Sequence, residues 1–198
     1  MTDQYFAKRP SAESRPVDTE FTYRGHTLRL TTDSGVFSRG EVDEGSALLL
    51  DSLPALTGRV LDLGCGAGVI GVSVGKAYPV ELVQSDVNER ALALTRENLK
   101  RNGVAGTVVE SDGFAALEGT FDTILTNPPI RAGKAVIYRL FAESRDHLKD
   151  GGALYLVIRK QQGAESAKKY LKTLFPSVEM IERKKGFWVL RCIRNPES

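Results

Sequence analysis

Hydrophobic and polar residues alternate with two different periods along most of the chain. Apolar runs of about six residues, as in GRVLDLG (58–64) and VELVQSD (80–86), are typical of short buried strands. Longer stretches with apolar residues three or four positions apart, as in NERALALTRENLKRNG (88–103), predict amphipathic helices. Because strands and helices alternate, the pattern predicts an α/β fold: a Rossmann-like, doubly wound, mostly parallel sheet of seven strands.

Hairpins are predicted at both ends of this pattern. FTYRGHTLRLTT (21–32) has β-rich arms around Arg24 and Gly25, which predicts an N-terminal hairpin extension. VEMIERK and FWVLRCIR, joined at Lys185 and Gly186, predict a C-terminal antiparallel hairpin at or near a sheet edge.

Two helices and a tail complete the predicted elements. VDEGSALLLDSL (42–53) predicts a helix that begins near Asp43 or Ser46. KAVIYRLFAESRDHLKDGG (134–152) predicts a helix closed by its paired glycines. Residues 1–20 are rich in Pro, Ser and charge, so we expect a flexible tail before a single domain over residues 21–198.

Composition and charge limit the cellular compartments and the kinds of ligand that we expect for this protein. Cys65 and Cys192 are too few for a disulfide framework or a zinc site, so we expect no metal and a reduced, cytoplasmic protein. The polar start is unlike a secretory signal and no apolar run is long enough to span a bilayer, so no membrane partner is expected. Residues 41–130 carry 6 Lys+Arg and 13 Asp+Glu, whereas residues 131–198 carry 15 and 7. The basic end fits either a nucleic-acid face or ordinary solvated lysines.

VLDLGCGAGVIG (60–71) places three glycines where the first core strand turns into its helix, which lets a ligand approach the backbone. The G-x-G-x-x-G spacing also matches a dinucleotide site, but Asp62 would repel a pyrophosphate there. The carboxylates of Asp62, Asp86 and Asp112 suit the cations of S-adenosylmethionine (SAM) better, and Phe114 is placed to stack on its adenine. The alternative is a tight turn with packing glycines and capping acids. The cofactor residues predicted from this segment are Asp62, Gly64, Gly66, Gly68, Asp86, Val87, Asp112, Gly113 and Phe114.

NPPI (127–130) follows the fourth core strand and falls on the same sheet edge as these acids. The Asn127 side-chain oxygen and the Pro128 carbonyl can each accept a hydrogen from an amide-like amine and aim its lone pair at the sulfonium methyl. Pro128 and Pro129 make this corner rigid. We therefore predict Asn127, Pro128 and Pro129 as the catalytic residues; the alternative is a plain turn that ends a strand.

The run from SGVFSRGEVDEGSALLL through VLDLGCGAG, SDVN, TNPPI and KKGFWVLRC resembles the class I SAM-dependent methyltransferases. Within them it is similar to the small-subunit ribosomal RNA guanine-N2 methyltransferases, especially the short single-domain bacterial members. The resemblance implies that Phe37 and Ser38 lie over the methionine end of SAM, with S-adenosylhomocysteine as the product. It departs at Ile130, where the family usually has an aromatic that stacks on the target base. We also expect this chain to lack the extra N-terminal domain of the longer members.

The basic segment begins directly after this motif and has aromatic residues interleaved. A positive rim beside an amine-methylating corner favours RNA, as ribosomal RNA or the small ribosomal subunit, with the target base unstacked into the pocket. The predicted substrate-binding residues are Ile130, Arg131, Lys134 and Lys160. Two alternatives stay open: a methyltransferase for protein glutamine, and a SAM- or RNA-binding module without turnover. The pattern leaves the oligomeric state undetermined.

Overall fold

The computed structural model describes residues 13–33 and 42–195. Helices and strands alternate along these residues as the hydrophobic pattern predicts. The helices are α1 (Glu44–Ser52), α2 (Val69–Ala77), α3 (Glu89–Arg101), α4 (Lys134–Asp146) and α5 (Ala164–Leu174). The strands are β1 (Val17–Tyr23), β2 (His26–Thr32), β3 (Gly58–Leu63), β4 (Val80–Asp86), β5 (Thr107–Glu110), β6 (Phe121–Thr126), β7 (Leu148–Arg159), β8 (Ser177–Lys184) and β9 (Phe187–Ile193).

The seven strands from β3 to β9 form one sheet in the order β5-β4-β3-β6-β7-β9-β8. Strands β3 to β7 are parallel, and β9 runs antiparallel between β7 and β8. Strands β1 and β2 pair separately as the predicted N-terminal hairpin. The predicted fold class is therefore confirmed. Because the parallel strands run the same way, their carboxyl ends meet along one edge, where the predicted site residues lie.

Two hydrophobic clusters cover the two faces of the sheet. Successive residues of a strand point to opposite faces, so Val60 belongs to the cluster with α1 and α2. Leu61 belongs to the other cluster, with α4 and α5. Both side chains are fully buried, which is why two successive residues of β3 are apolar and the strand does not simply alternate apolar and polar positions. No helix in the described ranges is long and apolar enough to cross a bilayer.

Two predicted boundaries are wrong. Strand β1 begins at Val17, which pairs with Thr32, so residues 17–20 belong to the hairpin and not to a tail. The partner strand is long enough to pair with these residues, and Thr31 Oγ1 adds a 2.6 Å hydrogen bond to Asp18. The boundary near the paired glycines is the second correction. Helix α4 ends at Asp146, and Gly151 and Gly152 lie inside β7.

Gly152 fits β7 because the chain is crowded at that point. A Cβ there would lie 3.0 Å from the Asp122 carbonyl and 2.8 Å from the Lys149 carbonyl. The pairing of β7 with β6 is irregular in the same place, between Phe121 and Thr123. The glycine pair therefore accommodates an irregular strand start and does not end a helix.

Asn98 of α3 joins the N-terminal hairpin to the glycine loop. Its side-chain oxygen accepts from Thr31 N at 2.8 Å, and its Nδ2 donates to the Thr31 carbonyl at 3.0 Å. The same Nδ2 donates to the Ala67 carbonyl at 2.8 Å. Since Asn98 is fully buried, no water replaces these bonds, and the hairpin is fixed relative to the loop.

We expect Asn98→Ala to lower the free energy of unfolding by about 3 kcal/mol, because buried backbone groups lose their partners. Asn102 is the matched control, since it makes the same two bonds to Arg29 in a more exposed position. Water can replace those bonds, so Asn102→Ala should cost less than about 1 kcal/mol. Urea unfolding of both variants measures the difference. Equal losses of unfolding free energy in the two variants would contradict the role of Asn98 in fixing the hairpin to the glycine loop.

Candidate active site

The glycine loop follows β3 directly, and Asp86 at the end of β4 supports it. Asp86 Oδ2 accepts from Gly66 N at 2.9 Å, and its Oδ1 accepts from Asn88 N at 2.9 Å. Burial raises the pKa of Asp86, and these backbone hydrogen bonds act in the opposite direction. Asn88 in turn caps α3, as the sequence predicts. The loop, the acid and the next helix are therefore one hydrogen-bonded unit.

Asp62 lies beneath this loop and does not line the cavity beside it, so its contact with the cofactor stays a prediction. Its Oδ2 accepts from Gly71 N and from Gln84 Nε2, both at 2.9 Å, and the residue is 1% exposed. Burial is the main cause that raises the pKa of Asp62 to about 6, and the charge of Asp86 adds to it. Asp62 therefore anchors the first turn of α2 to the sheet.

Gly68 also serves packing in this structure. A Cβ on Gly68 would lie 2.9 Å from Thr95 Oγ1 and 3.1 Å from Gln84 Nε2. Its left-handed backbone (φ 87°) turns the chain into α2. On that side, Gly68 therefore faces side chains of the protein itself, and its contact with the cofactor stays a prediction.

A cavity opens at the carboxyl ends of β3, β4 and β5. Six of the predicted residues line it: Gly64, Asp86, Val87, Asp112, Gly113 and Pro129. The rest of the lining consists of Leu63, Ser85 and Ser111 at the strand ends and of Val136, Arg139 and Leu140 of α4. The position of a Cβ on Gly64 meets no atom within 4 Å, so the backbone is open there. Ser85 Oγ is buried and has no hydrogen-bond partner among the described residues. Open backbone, an unpaired hydroxyl and two carboxylates fit an adenosyl cofactor with cationic groups.

Two of the predicted cofactor contacts differ in detail. Phe114 is 4% exposed and its ring stacks on His147 at 4.4 Å, so it packs in the core, and its contact with adenine stays a prediction. Asp112 is exposed on the cavity wall, where Arg139 Nη2 donates to it at 2.7 Å. Phe37 and Ser38 lie outside the described residues.

Asn127 is held by the start of α1. Its Nδ2 donates to Asp43 Oδ1 at 3.1 Å and to Ser46 Oγ at 3.2 Å. A carboxylate can only accept, so the amide nitrogen must face Asp43 and the amide oxygen must face away. That oxygen accepts no hydrogen bond from any described residue. Thr126 Oγ1 donates to the Leu63 carbonyl at 2.9 Å and joins this corner to the glycine loop.

The predicted substrate residues lie next to this corner. Ile130 is half-buried in a 3₁₀ turn (Ile130–Ala132) directly after the buried prolines. Arg131 and Lys134 are exposed, and Lys134 Nζ lies 5.2 Å from the centre of the Tyr138 ring. Lys160 is exposed at the end of β7 and pairs loosely with Glu165 at 3.9 Å. Ile130, Arg131 and Lys134 thus follow the corner directly in the chain, and the contact of all four candidates with a substrate stays a prediction.

The sequence pattern missed three residues that shape the site. Asp43 and Ser46 could be recognised from sequence only as a helix start, although they also orient an amide 84 and 81 positions further along the chain. Arg139 is one of several polar residues on the exposed face of α4, so the sequence pattern does not distinguish it. Only the packing of α1 and α4 against the strand ends brings these three side chains to the site.

The family model for the methyltransferase small domain matches residues 27–191. The chain belongs to this family. It is a SAM-dependent methyltransferase related to the ribosomal RNA small subunit methyltransferases C.

One relative, Uncharacterized protein YbxB of Bacillus subtilis, is 43% identical over 97% of this chain and 98% of its own length. Ribosomal RNA small subunit methyltransferase C of Vibrio cholerae is 44% identical over 68% of this chain but 41% of its own length. The Pseudomonas entomophila enzyme of the same name is 36% identical over 92% and 57%. The chain therefore spans about half the length of these two methyltransferases.

A solved structure has the same fold. The T. thermophilus 16S rRNA N2 methyltransferase, in complex with AdoMet and guanosine, superposes with a TM-score of 0.83 and 25% identity. The match covers 93% of this chain and 52% of that one. A methyltransferase small domain with SAM as its cofactor accounts for the open backbone at Gly64 and the carboxylates beside it.

We expect Gly64→Ala to weaken SAM binding by about 5- to 150-fold, because the methyl group enters the cavity at a cost of about 1 to 3 kcal/mol. Gly103→Ala is the matched control. Both glycines have a left-handed backbone (φ 68° and 62°), and neither has an atom within 4 Å of its Cβ position. Both variants should lose similar stability, whereas only Gly64→Ala should change the Kd for SAM in calorimetry. A loss of affinity in both would contradict the cavity assignment.

We expect the buried Asp62 carboxyl to make stability depend on pH. Its folded pKa of about 6 lies above its ordinary value of 3.8, so the native state holds the proton more tightly. Wild type, without SAM, should therefore lose stability relative to Asp62→Asn as pH rises from about 4 to about 6, by at most about 3 kcal/mol. Urea unfolding from pH 4 to 8 measures both proteins. A difference that does not change with pH would contradict this prediction.

Proposed function

We propose that the protein transfers a methyl group from SAM to the exocyclic N2 amine of a guanine in small-subunit ribosomal RNA, in the cytoplasm. The observation that carries the proposal is the fixed orientation of the Asn127 amide, whose nitrogen is committed to Asp43 and Ser46. An oriented amide oxygen in the N-P-P corner is suited to accept a hydrogen from a planar amine.

The protein groups would act by position and polarity. The Asn127 oxygen and the Pro128 carbonyl each accept one hydrogen of the amine, which turns the nitrogen lone pair out of the ring plane. SAM supplies the methyl group: its carbon–sulfur bond breaks as the nitrogen–carbon bond forms. The methylated nitrogen then loses a proton to water, so no strong base is needed beforehand. Orientation of this kind contributes as much as roughly 7 to 11 kcal/mol to lowering a barrier.

The substrate class is supported by charge and by the relatives. Residues 131–198 carry 15 Lys+Arg and 7 Asp+Glu. Arg131 and Lys134 are exposed just after the corner, and Lys160 is exposed at the end of β7. Two of the related methyltransferases are named for small-subunit ribosomal RNA, and the T. thermophilus enzyme was solved with guanosine. A protein-glutamine substrate would favour a less basic surface than residues 131–198 carry. Ile130 does not separate the two substrates, because an aromatic residue would be expected at that position in either case.

Methyl-labelled SAM tests the reaction and the substrate together. Purified protein is incubated with protein-free ribosomal RNA, small ribosomal subunits, DNA and a protein extract, and the digested products are identified. Label in N2-methylguanosine from RNA or subunits is the expected result. Label in glutamine, or none anywhere despite measurable SAM binding, would overturn the proposal.

We expect Asn127→Ala to lower kcat by about 10²- to 10³-fold, since it removes an acceptor aimed at the reacting amine. Asp43→Ser should lower kcat by about tenfold or more, because serine retains the helix cap but not the carboxylate that orients Asn127. Neither change should alter the Kd for SAM by more than about twofold.

Single-turnover rates and SAM calorimetry separate these effects. Full methyl transfer by Asn127→Ala would disprove the role of its side chain. If Asp43→Ser kept the wild-type kcat while Asn127→Ala lost activity, the Asn127 amide would need no carboxylate to orient it, and the role given to Asp43 would be wrong.

A further inference from the structure

A groove runs between α4 and α5, beyond the corner that holds Asn127. We call it the α4–α5 groove. Its apolar floor consists of Ile130, Ile137, Ile158 and Ala167. Ile137, Ile158 and Ala167 are buried and Ile130 is half-buried, so the floor is built from packed side chains. A surface of this kind can receive a flat apolar face.

Aromatic and cationic groups line the rim of the groove. Tyr138 stacks on Tyr170 with ring centres 4.1 Å apart and planes 4° apart, which fixes the Tyr138 ring. The Lys134 ammonium lies 5.2 Å from the centre of that ring. Because Tyr170 stacks on the Tyr138 ring and Lys134 lies over it, a base in the groove would meet the edge of this aromatic pair. Its phosphate would meet the Lys134 ammonium.

Two polar side chains of the rim are available to a ligand. Gln162 and Ser166 line the groove and are exposed, and neither side chain hydrogen-bonds to another residue within ranges 13–33 and 42–195. A side-chain amide both donates and accepts, and a hydroxyl does the same. Together they can pair with the edge of an unstacked base, which carries donors and acceptors side by side.

The groove and the cofactor cavity are lined by neighbouring residues of the chain. Pro129 lines the cofactor cavity, and the next residue, Ile130, lines the groove. Arg131 and Lys160 are exposed and lie within two positions along the chain of the groove residues Ile130 and Gln162. A neutral side chain of a protein would leave the cations unused and an acidic one would leave the apolar floor unused, whereas a nucleotide has an apolar base face and a phosphate and so uses both.

We infer that the α4–α5 groove binds the nucleotide adjacent to the target guanine in the RNA strand. This inference rests on the proposed function and adds a second base-binding position to it. The base lies on the apolar floor against Tyr138, its edge meets Gln162 and Ser166, and its phosphate meets Lys134. Occupation of the groove keeps the strand open beside the flipped guanine.

The kinetic test uses whichever RNA or ribosomal subunit the wild-type protein methylates. Gln162→Ala removes the amide, and Ser166→Leu fills the groove from an exposed position. Each should raise the KM for RNA by about 5-fold or more, as expected for loss of a base contact, and leave the Kd for SAM unchanged. Gln161→Ala is the matched control, because Gln161 is exposed next to Gln162 but does not line the groove. Equal KM values in all three variants and wild type would overturn the inference.

Cross-linking locates the nucleotide directly. A photoreactive benzophenone amino acid replaces Ser166, with Gln161 as the control position, and the cross-linked nucleotide is mapped by mass spectrometry. A cross-link from position 166 to the nucleotide next to the methylated guanine is the expected result. The assignment would be overturned by a cross-link to the guanine itself, by one to a distant nucleotide, or by none to RNA. N2-methylguanosine in the same sample would still support the proposed function, so the two proposals are tested separately. If wild type methylates no RNA, both proposals fail.

Discussion

The buried carboxylate of Asp62 is the contact on which the rest of the site depends. It fixes the first turn of α2 through Gly71 and fixes Gln84 of β4 through the same oxygen. The glycine loop lies between these two attachments, so its shape is set before any ligand arrives. A buried carboxyl is costly to ionise, yet the hydrogen bonds that it accepts are ones that no apolar side chain could provide.

The corner that holds Asn127 is organised in the same manner but from a different part of the chain. Asn127 ends a strand, whereas the groups that orient it stand at the first turn of α1. The cofactor cavity and the corner are joined through Thr126 and Leu63. The chemistry therefore depends on how helices dock against one sheet edge, and less on the N-P-P segment alone.

Much of the fold and about half of the site follow from local patterns. Strand and helix periods predict the sheet, and Asn88 and Asp86 have the predicted positions because caps and strand ends are local features. The direction in which Phe114 points is not local, since its ring is set by packing on His147. The side of the sheet on which Asp62 lies was predictable, because Asp62 is two positions after Val60 in β3 and Val60 lies on the side covered by α2. The bond between Asp43 and Asn127 has no local signal at all.

The last strand supports the start of α1. Phe187 of β9 packs so closely on Gly45 that a Cβ there would lie 2.9 Å from its ring, and Lys185 pairs with Glu44 at 2.8 Å. Gly45 stands between the two residues that orient Asn127. A growing chain that has not yet produced β9 therefore lacks the packing that supports the two residues holding Asn127. The geometry of the Asn127 amide is thus completed late in synthesis relative to the strand that carries it, because its support comes from a strand 60 positions further along the chain.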